Sequence, residues 1–326
     1  MSLSLNKPST GATGWADAVN ANFATIEDSL LIARGICQAR LTLSSTDPVT
    51  TGSLTSQSTL YLLPFMGNQI GLYDTTSSQW TLQELGSSGL SFKLTGDGAE
   101  RDTSGSPIDA SKTYDVFVWN DSGTLKLALE IWSTNTARAN ALDVVQGVCV
   151  RGSNSGYLYV GTVWTDSNTD LNDAAFLRFV WNEYHRVPVR DYKADLADSW
   201  TDAGNGTWSE INTGSSAFKC QFVVGRDLRP ISARVKVTSE SSYHTAIAQD
   251  GTTYSRSTST IGSGAGTVRG AAIAEFSAFP GVGYHYLQGI ETTQNSSTAT
   301  AWGDNGGTIG GSTVGIQSGM FVDFER

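Results

Sequence analysis

The 326-residue chain carries 21 Lys and Arg against 31 Asp and Glu, a formal net charge of −10. That balance sets it against nucleic acid, whose affinity is dominated by phosphate neutralisation through clustered basic side chains, and no such cluster occurs. Charged residues make up only 16% and apolar ones 39%, so uncharged hydroxyls, amides and exposed backbone keep the surface in water. This suits short strands joined by tight turns and works against long solvated helices. Cys37, Cys149 and Cys220 are odd in number and far apart, which gives neither a disulfide framework nor a C-x-x-C pair. They read as small buried hydrophobes. Residues 1–12 lack the apolar core of a signal peptide, and no run approaches the roughly 18 apolar residues of a membrane span. Synthesis in a cytoplasm without membrane insertion is therefore expected.

The one helical pattern is at the start. Val19, Phe23, Ile26, Leu30 and Ala33 follow at intervals of 4, 3, 4 and 3, the seam spacing of a coiled coil. Thr13 stands as N-cap and Gly35 as the residue past the end. At about three heptads the helix is marginal alone in water, so its stripe needs a bundle of copies, a socket on a partner, or its own β-domain. Trp15, Val19, Phe23, Ile26 and Leu30 are the candidate assembly and docking residues, and a homotrimer packed around them is expected.

From residue 38 the period changes to two. Strands are expected over 39–43, 59–65, 69–73, 79–82, 91–94, 114–119, 124–130, 147–150 and 157–164. Between them lie Gly67-Asn68, Asp97-Gly98, Asp121-Ser122-Gly123 and Asn154-Ser155-Gly156, residues that tolerate positive φ at tight turns. The hairpin over 114–130 is the most strongly marked. Residues 187–199 read as a linker, with Pro188 and concentrated charge. Strands resume over 206–211, 217–224, 231–239, 243–248, 271–276, 283–289, 298–302 and 319–324, with glycine-rich stretches at 262–266 and 303–311. The expected fold is mainly β: a helix over 1–36, a β-rich domain over 37–186, the linker, and a second antiparallel β-sandwich over 200–326.

Catalytic motifs are absent from the sequence. His185, His244 and His285 stand between Tyr and Arg, Thr or Tyr, without a G-x-S-x-G elbow or an H-E-x-x-H helix. Asp166, Asn168, Asp170 and Asp173 imitate a calcium loop, but Leu171 and Leu177 occupy the positions where an EF-hand needs Gly and a bidentate Glu. A polar turn with Asx hydrogen bonds is the better account. The chain is expected to have no catalytic residues, no metal and no cofactor. Aromatic side chains are the remaining clue: nine Trp, eleven Tyr and twelve Phe. Alternation along Gly283-Tyr-His-Tyr-Leu-Gln-Gly289 puts Tyr284 and Tyr286 on one face, and Trp302 adjoins a glycine-rich stretch. Exposed rings beside uncharged polar groups suit sugars, so Tyr284, Tyr286 and Trp302 are the candidate ligand contacts.

Two segments carry a likeness. Residues 15–26, WADAVNANFATI, resemble the W-x-x-x-x-N-x-N-F/W-x-x-I signature near the N-terminus of many phage tail and virion proteins. TLYLLPFMGNQIGLYD, KTYDVFVWNDSGTLKLAL, YVGTVWTD and RFVWNEYHRVP are similar to a β-domain of phage structural proteins, and AFPGVGYHYLQGIE with the closing strand looks like their terminal sandwich. The resemblance implies a tail-fibre or related appendage of a tailed bacteriophage, trimeric, held on the virion by its N-terminus, and touching a host surface glycan through its distal domain. It supplies no catalytic residues. A head fibre, decoration or baseplate protein without receptor binding is the first alternative, and a tailspike-like glycan depolymerase the second.

Overall fold

The computed structural model describes residues 17, 19, 22, 36–202, 206–226, 229–239, 243–252, 257–259, 261–262, 270–293, 298–303, 308–309, 312–313 and 318–326. The expected helix lies outside the described residues apart from three isolated positions. Of its stripe, only Val19 is described, half-buried. Trp15, Phe23, Ile26 and Leu30 lie outside, as do most residues of the glycine-rich stretches. Everything from Ile36 onward that is described is β structure, turns and one short 3-10 turn at Ser216–Phe218.

The first half packs two small sheets with a larger one; Gln69–Asp74 and Gln79–Glu84 form a two-stranded sheet whose Ile70, Leu72 and Trp80 join the core. A small sheet of Ala39–Thr42, Thr59–Pro64 and Leu90–Lys93 covers a six-stranded sheet. In the latter, Thr124–Ile131, Thr113–Asp121, Asn154–Trp164, Val148–Arg151 and Leu142–Val145 lie side by side, with Val180–Asn182 also paired to Asn154–Trp164. Leu41, Leu60, Leu62 and Phe92 meet Val116, Val118, Leu129, Leu158 and Val160 in the core between them. The marked hairpin forms as its turn chemistry requires: Asp121 pairs with Thr124, and Ser122 and Gly123 between them take φ of 53° and 95°. Two consecutive left-handed residues give the turn whose twist matches the strands.

The six-stranded sheet is buried on both faces. Val116 and Val118 point into the first core, whereas Phe117 points the other way and joins Cys149, Tyr159, Trp164, Phe179, Trp181 and Val223 in a separate aromatic layer. Val223 belongs to the second half, and the half-buried Tyr284 packs on the same layer. Its ring stacks on Trp164 at 4.0 Å between centroids and meets Phe179 edge-on at 6.2 Å. Close approach is needed here: a Cβ on Gly225 would stand 2.2 Å from the Tyr159 hydroxyl and 2.3 Å from the Trp181 ring.

The second half is a sandwich. One of its sheets contains Lys219–Val224, Gly283–Thr293 and Tyr243–Gln249 and is continuous with strands of the first half. Leu177–Arg178 pairs in parallel with Gln221 and Phe222, and extends through Leu171–Ala174 to Leu54–Gln57. The facing sheet contains Pro188–Ala194, Gly319–Glu325, Ile231–Ser239 and Gly270–Ala278 in that order. Phe222, Ile247 and Leu287 from one sheet, Phe218 from the 3-10 turn that leads into it, and Val235, Phe276, Met320 and Phe324 from the other fill the space between.

The expected linker over 187–199 is therefore corrected. Pro188–Ala194 is an edge strand, paired along its whole length with Gly319–Glu325. Its alternating burial, with Val189 and Asp191 buried and Pro188, Arg190 and Tyr192 exposed, was hidden by the proline, which an edge strand tolerates. The charge that looked like solvated chain is partly a buried clamp. Asp191 accepts two hydrogen bonds from Arg178, at 2.9 and 2.7 Å, and Arg178 reaches Asp173 at 2.8 Å. Arg326 pairs with the other oxygen of Asp173.

Removing one partner of a buried ion pair leaves an uncompensated charge, and truncating a buried aromatic leaves a cavity. Arg178→Ala and Trp164→Ala are each expected to cost about 3–5 kcal/mol in denaturant unfolding, and Arg190→Ala, at an exposed pair with Asp323, about 1 kcal/mol or less.

Candidate ligand-binding groove

The three aromatics singled out in the second half do not form one surface. Tyr284 is taken up by the aromatic layer, and its hydroxyl donates to Gln221 Oε1 at 2.6 Å. Tyr286 is half-buried on the same sheet, with the Lys219 ammonium 4.2 Å above its ring. Trp302 lies in Ala299–Trp302, paired opposite Thr238 in the facing sheet, and is only 6% exposed. The alternation placed Tyr284 and Tyr286 on one face, and they share it; which face a second layer covers is a tertiary fact that alternation does not carry.

A different set of rings borders an open groove in the first half. Trp119, near the end of Thr113–Asp121, and Tyr157, in Asn154–Trp164, stack at 5.1 Å with planes only 8° apart. Both are half-buried. The Arg151 guanidinium lies 5.2 Å from the centre of the Tyr157 ring. Beside this ridge runs a groove of about 420 Å³, lined by Tyr73, Gln83, Trp119, Asn120, Asn154 and Tyr157 among others. Asn120 donates to Gln83 Oε1 at 3.2 Å, which fixes two amides along the wall. Asp74, at the rim, is held below the usual carboxylate range by the Ser77 hydroxyl and the Thr76 N–H.

On the opposite flank the same two rings line a second groove of about 370 Å³, where Glu100, Arg101, Asp102, Lys126 and Arg151 bring charge. One ridge of aromatic surface thus separates an amide-lined channel from a charged one. Stacked rings offer apolar area at low entropic cost, and amides donate and accept at once. Together they match a ligand with apolar faces and many hydroxyls. The strands were legible in the sequence, and so was a usable sign: both rings sit within a few residues of a tight turn, where a sheet has little left to cover them.

Two of the three histidines are hydrogen-bonded within the fold. His285 Nδ1 lies 2.7 Å from Asp250 Oδ2 and its Nε2 3.2 Å from the Val282 carbonyl, and His185 Nε2 is 2.7 Å from the Cys37 carbonyl. In the calcium-like stretch, Asp166 Oδ1 accepts from the N–H groups of Asn168 and Asp170, and Oδ2 accepts from the Asn172 amide. That is an Asx-type turn, with Thr169 at φ 67°. All three cysteines are buried and unpaired by disulfide, and burial pushes the Cys37 thiol up to about 12.

No family model matches the chain, and no curated protein matches it in sequence.

Glu291 is a carboxyl whose titration bears on the fold. It is buried, accepting from Trp200 Nε1 at 2.9 Å and from the Asn212 N–H at 3.2 Å. Burial outweighs those two donors, and Asp202 and Asp195 add repulsion, so its pKa is pushed up to about 7 from an ordinary 4.5. The folded chain therefore binds this proton more tightly than the unfolded one. The stabilisation is complete below the unfolded value and is lost as pH rises through about 7. At about 1.4 kcal/mol per unit the effect is on the order of 3 kcal/mol. Glu291→Gln is expected to gain roughly that much relative to wild type between pH 4.5 and 8, read from parallel denaturant titrations. Wild-type and variant curves that run parallel over this range contradict the assignment.

Proposed function

We propose that this chain is a non-catalytic structural and binding component of a phage virion appendage of the tail-fibre kind, and that the Trp119–Tyr157 ridge is its contact for a surface saccharide. The observation that carries the binding half is the stacked ring pair bordered by Gln83, Asn120 and Asn154. The appendage half is supported by the adaptor-like sequence over 15–26 and by an all-β body in which both halves share one sheet. A load-transmitting appendage is served by such a body, because rigid scaffolds hold their binding surfaces in a fixed place.

The roles divide simply. Trp119 and Tyr157 supply apolar area for the face of a sugar ring, and the amides of Asn120 and Gln83 address its hydroxyls. The charged flank around Arg101, Lys126 and Glu100 favours saccharides that carry ionised or zwitterionic substituents further along the chain.

The full-length protein, screened against bacterial surface polysaccharides, is expected to bind a subset. Trp119→Ala and Tyr157→Ala should each weaken that binding about tenfold, equivalent to about 1.4 kcal/mol, while Tyr286→Ala leaves it unchanged. Gold-labelled antibody to the chain should mark an external appendage on virions. Binding that survives both ring substitutions contradicts the site, and virions that carry no label contradict the appendage.

A further inference from the structure

The two sheets of the second half differ in what lies on their outward faces. The sheet with Lys219–Val224 and Gly283–Thr293 is covered by the aromatic layer of the first half. The facing sheet has no such cover among the described residues, yet near one edge it carries an exposed apolar pair. Tyr192 and Phe321 pair directly across Pro188–Ala194 and Gly319–Glu325 and stack at 4.2 Å between centroids. They are 42% and 47% exposed, beside a shallow depression of about 560 Å³.

Charge around the pair is arranged in columns. Arg190 is on the first strand and Asp323 on the second, joined at 3.1 Å. Arg234 follows on the third strand and Glu275 on the fourth, in register and 3.8 Å apart. Cation, anion, cation and anion thus alternate from strand to strand. A surface of this kind is complementary to itself: turned by a two-fold axis that runs parallel to the strands between two neighbouring columns, each cationic column it overlaps lies against an anionic one. The rest of the chain, with its net charge of −10, repels its own kind, so the balanced face is where copies approach at least electrostatic cost.

We propose that this face is an interface with a second copy of the same chain, centred on Tyr192 and Phe321. The proposal is independent of the saccharide reading, which rests on the other half of the molecule. It also places a self-contact in the β body, separate from the N-terminal stripe.

The test uses the full chain and a short bis-maleimide. All three native thiols are buried, so wild type gives no cross-link. Phe321→Cys is expected to give a covalent dimer, and Val144→Cys, at a position 58% exposed in the other half, is not. Phe321→Glu should raise the concentration of half-dissociation at least tenfold in sedimentation equilibrium, with an unchanged thermal midpoint. Three results overturn the proposal: a wild-type chain that stays monomeric at roughly 100 μM, well above ordinary specific affinities; a Phe321→Cys chain cross-linked no more than Val144→Cys; or protection of Cys at 321 by a soluble saccharide, which makes the face a ligand site instead.

Discussion

The rest of the structure depends on the aromatic layer between the six-stranded sheet and the second sandwich. Phe117, Tyr159, Trp164, Phe179 and Trp181 turn away from the first core and meet Val223 and Tyr284. Fully burying one large apolar side chain is worth about 1.5–3 kcal/mol, so a layer of this size contributes on the order of 10 kcal/mol. That is comparable to the whole net stability of an ordinary domain. Two hydrogen bonds at its rim cross the same junction. Arg138 holds Asp115 in a two-point pair at 2.6 and 3.1 Å and also donates to the Gly225 carbonyl at 2.7 Å. The Tyr284 N–H donates to the Asn135 carbonyl at 2.9 Å. The parallel pairing of Leu177–Arg178 with Lys219–Val224 then makes one sheet out of strands from both halves.

This junction decides which surfaces remain for function. It consumes Tyr284 and the outward face of one sandwich sheet. It stops short of the turn ends of Thr113–Asp121 and Asn154–Trp164, so Trp119 and Tyr157 remain as an open ridge. It also leaves the opposite sandwich face, with Tyr192 and Phe321, on the outside. Under the two proposals, a groove on one half and a self-complementary face on the other divide the labour, with ligand contact and self-contact held at fixed separation. If both operate, several weak saccharide contacts act together, and avidity rises without any new contact in the groove.

Much of the β architecture was legible locally. The 114–130 hairpin could be read because alternation and turn residues agree, and the strand at Ile231–Ser239 emerges at its expected bounds because small and apolar residues alternate strictly with polar ones. The elements that escaped are the ones whose identity is non-local. Leu54–Gln57 and Leu171–Ala174 are short and rich in polar residues, and become strands by pairing with each other and, for the latter, with Leu177–Arg178. Pro188–Ala194 looked like linker because the strand it pairs with, Gly319–Glu325, lies more than a hundred residues away in sequence. The same reason limits reading of the site. A strand with Tyr on one face shows period two wherever it stands, and only the second layer tells whether that face is buried, like Tyr284, or open, like Trp119.

The central claim is that the two halves are one cooperative body. Buried thiols report on it directly, since Cys37 and Cys149 lie in the first half and Cys220 in the core of the second. Thiol labelling followed site by site through a denaturant titration should show all three becoming reactive at a common midpoint and with a common slope, as one unfolding event requires. Cys220 reacting at a clearly lower denaturant concentration than Cys37 and Cys149, or the reverse, would mean that one half opens while the other stays folded, and would contradict the account.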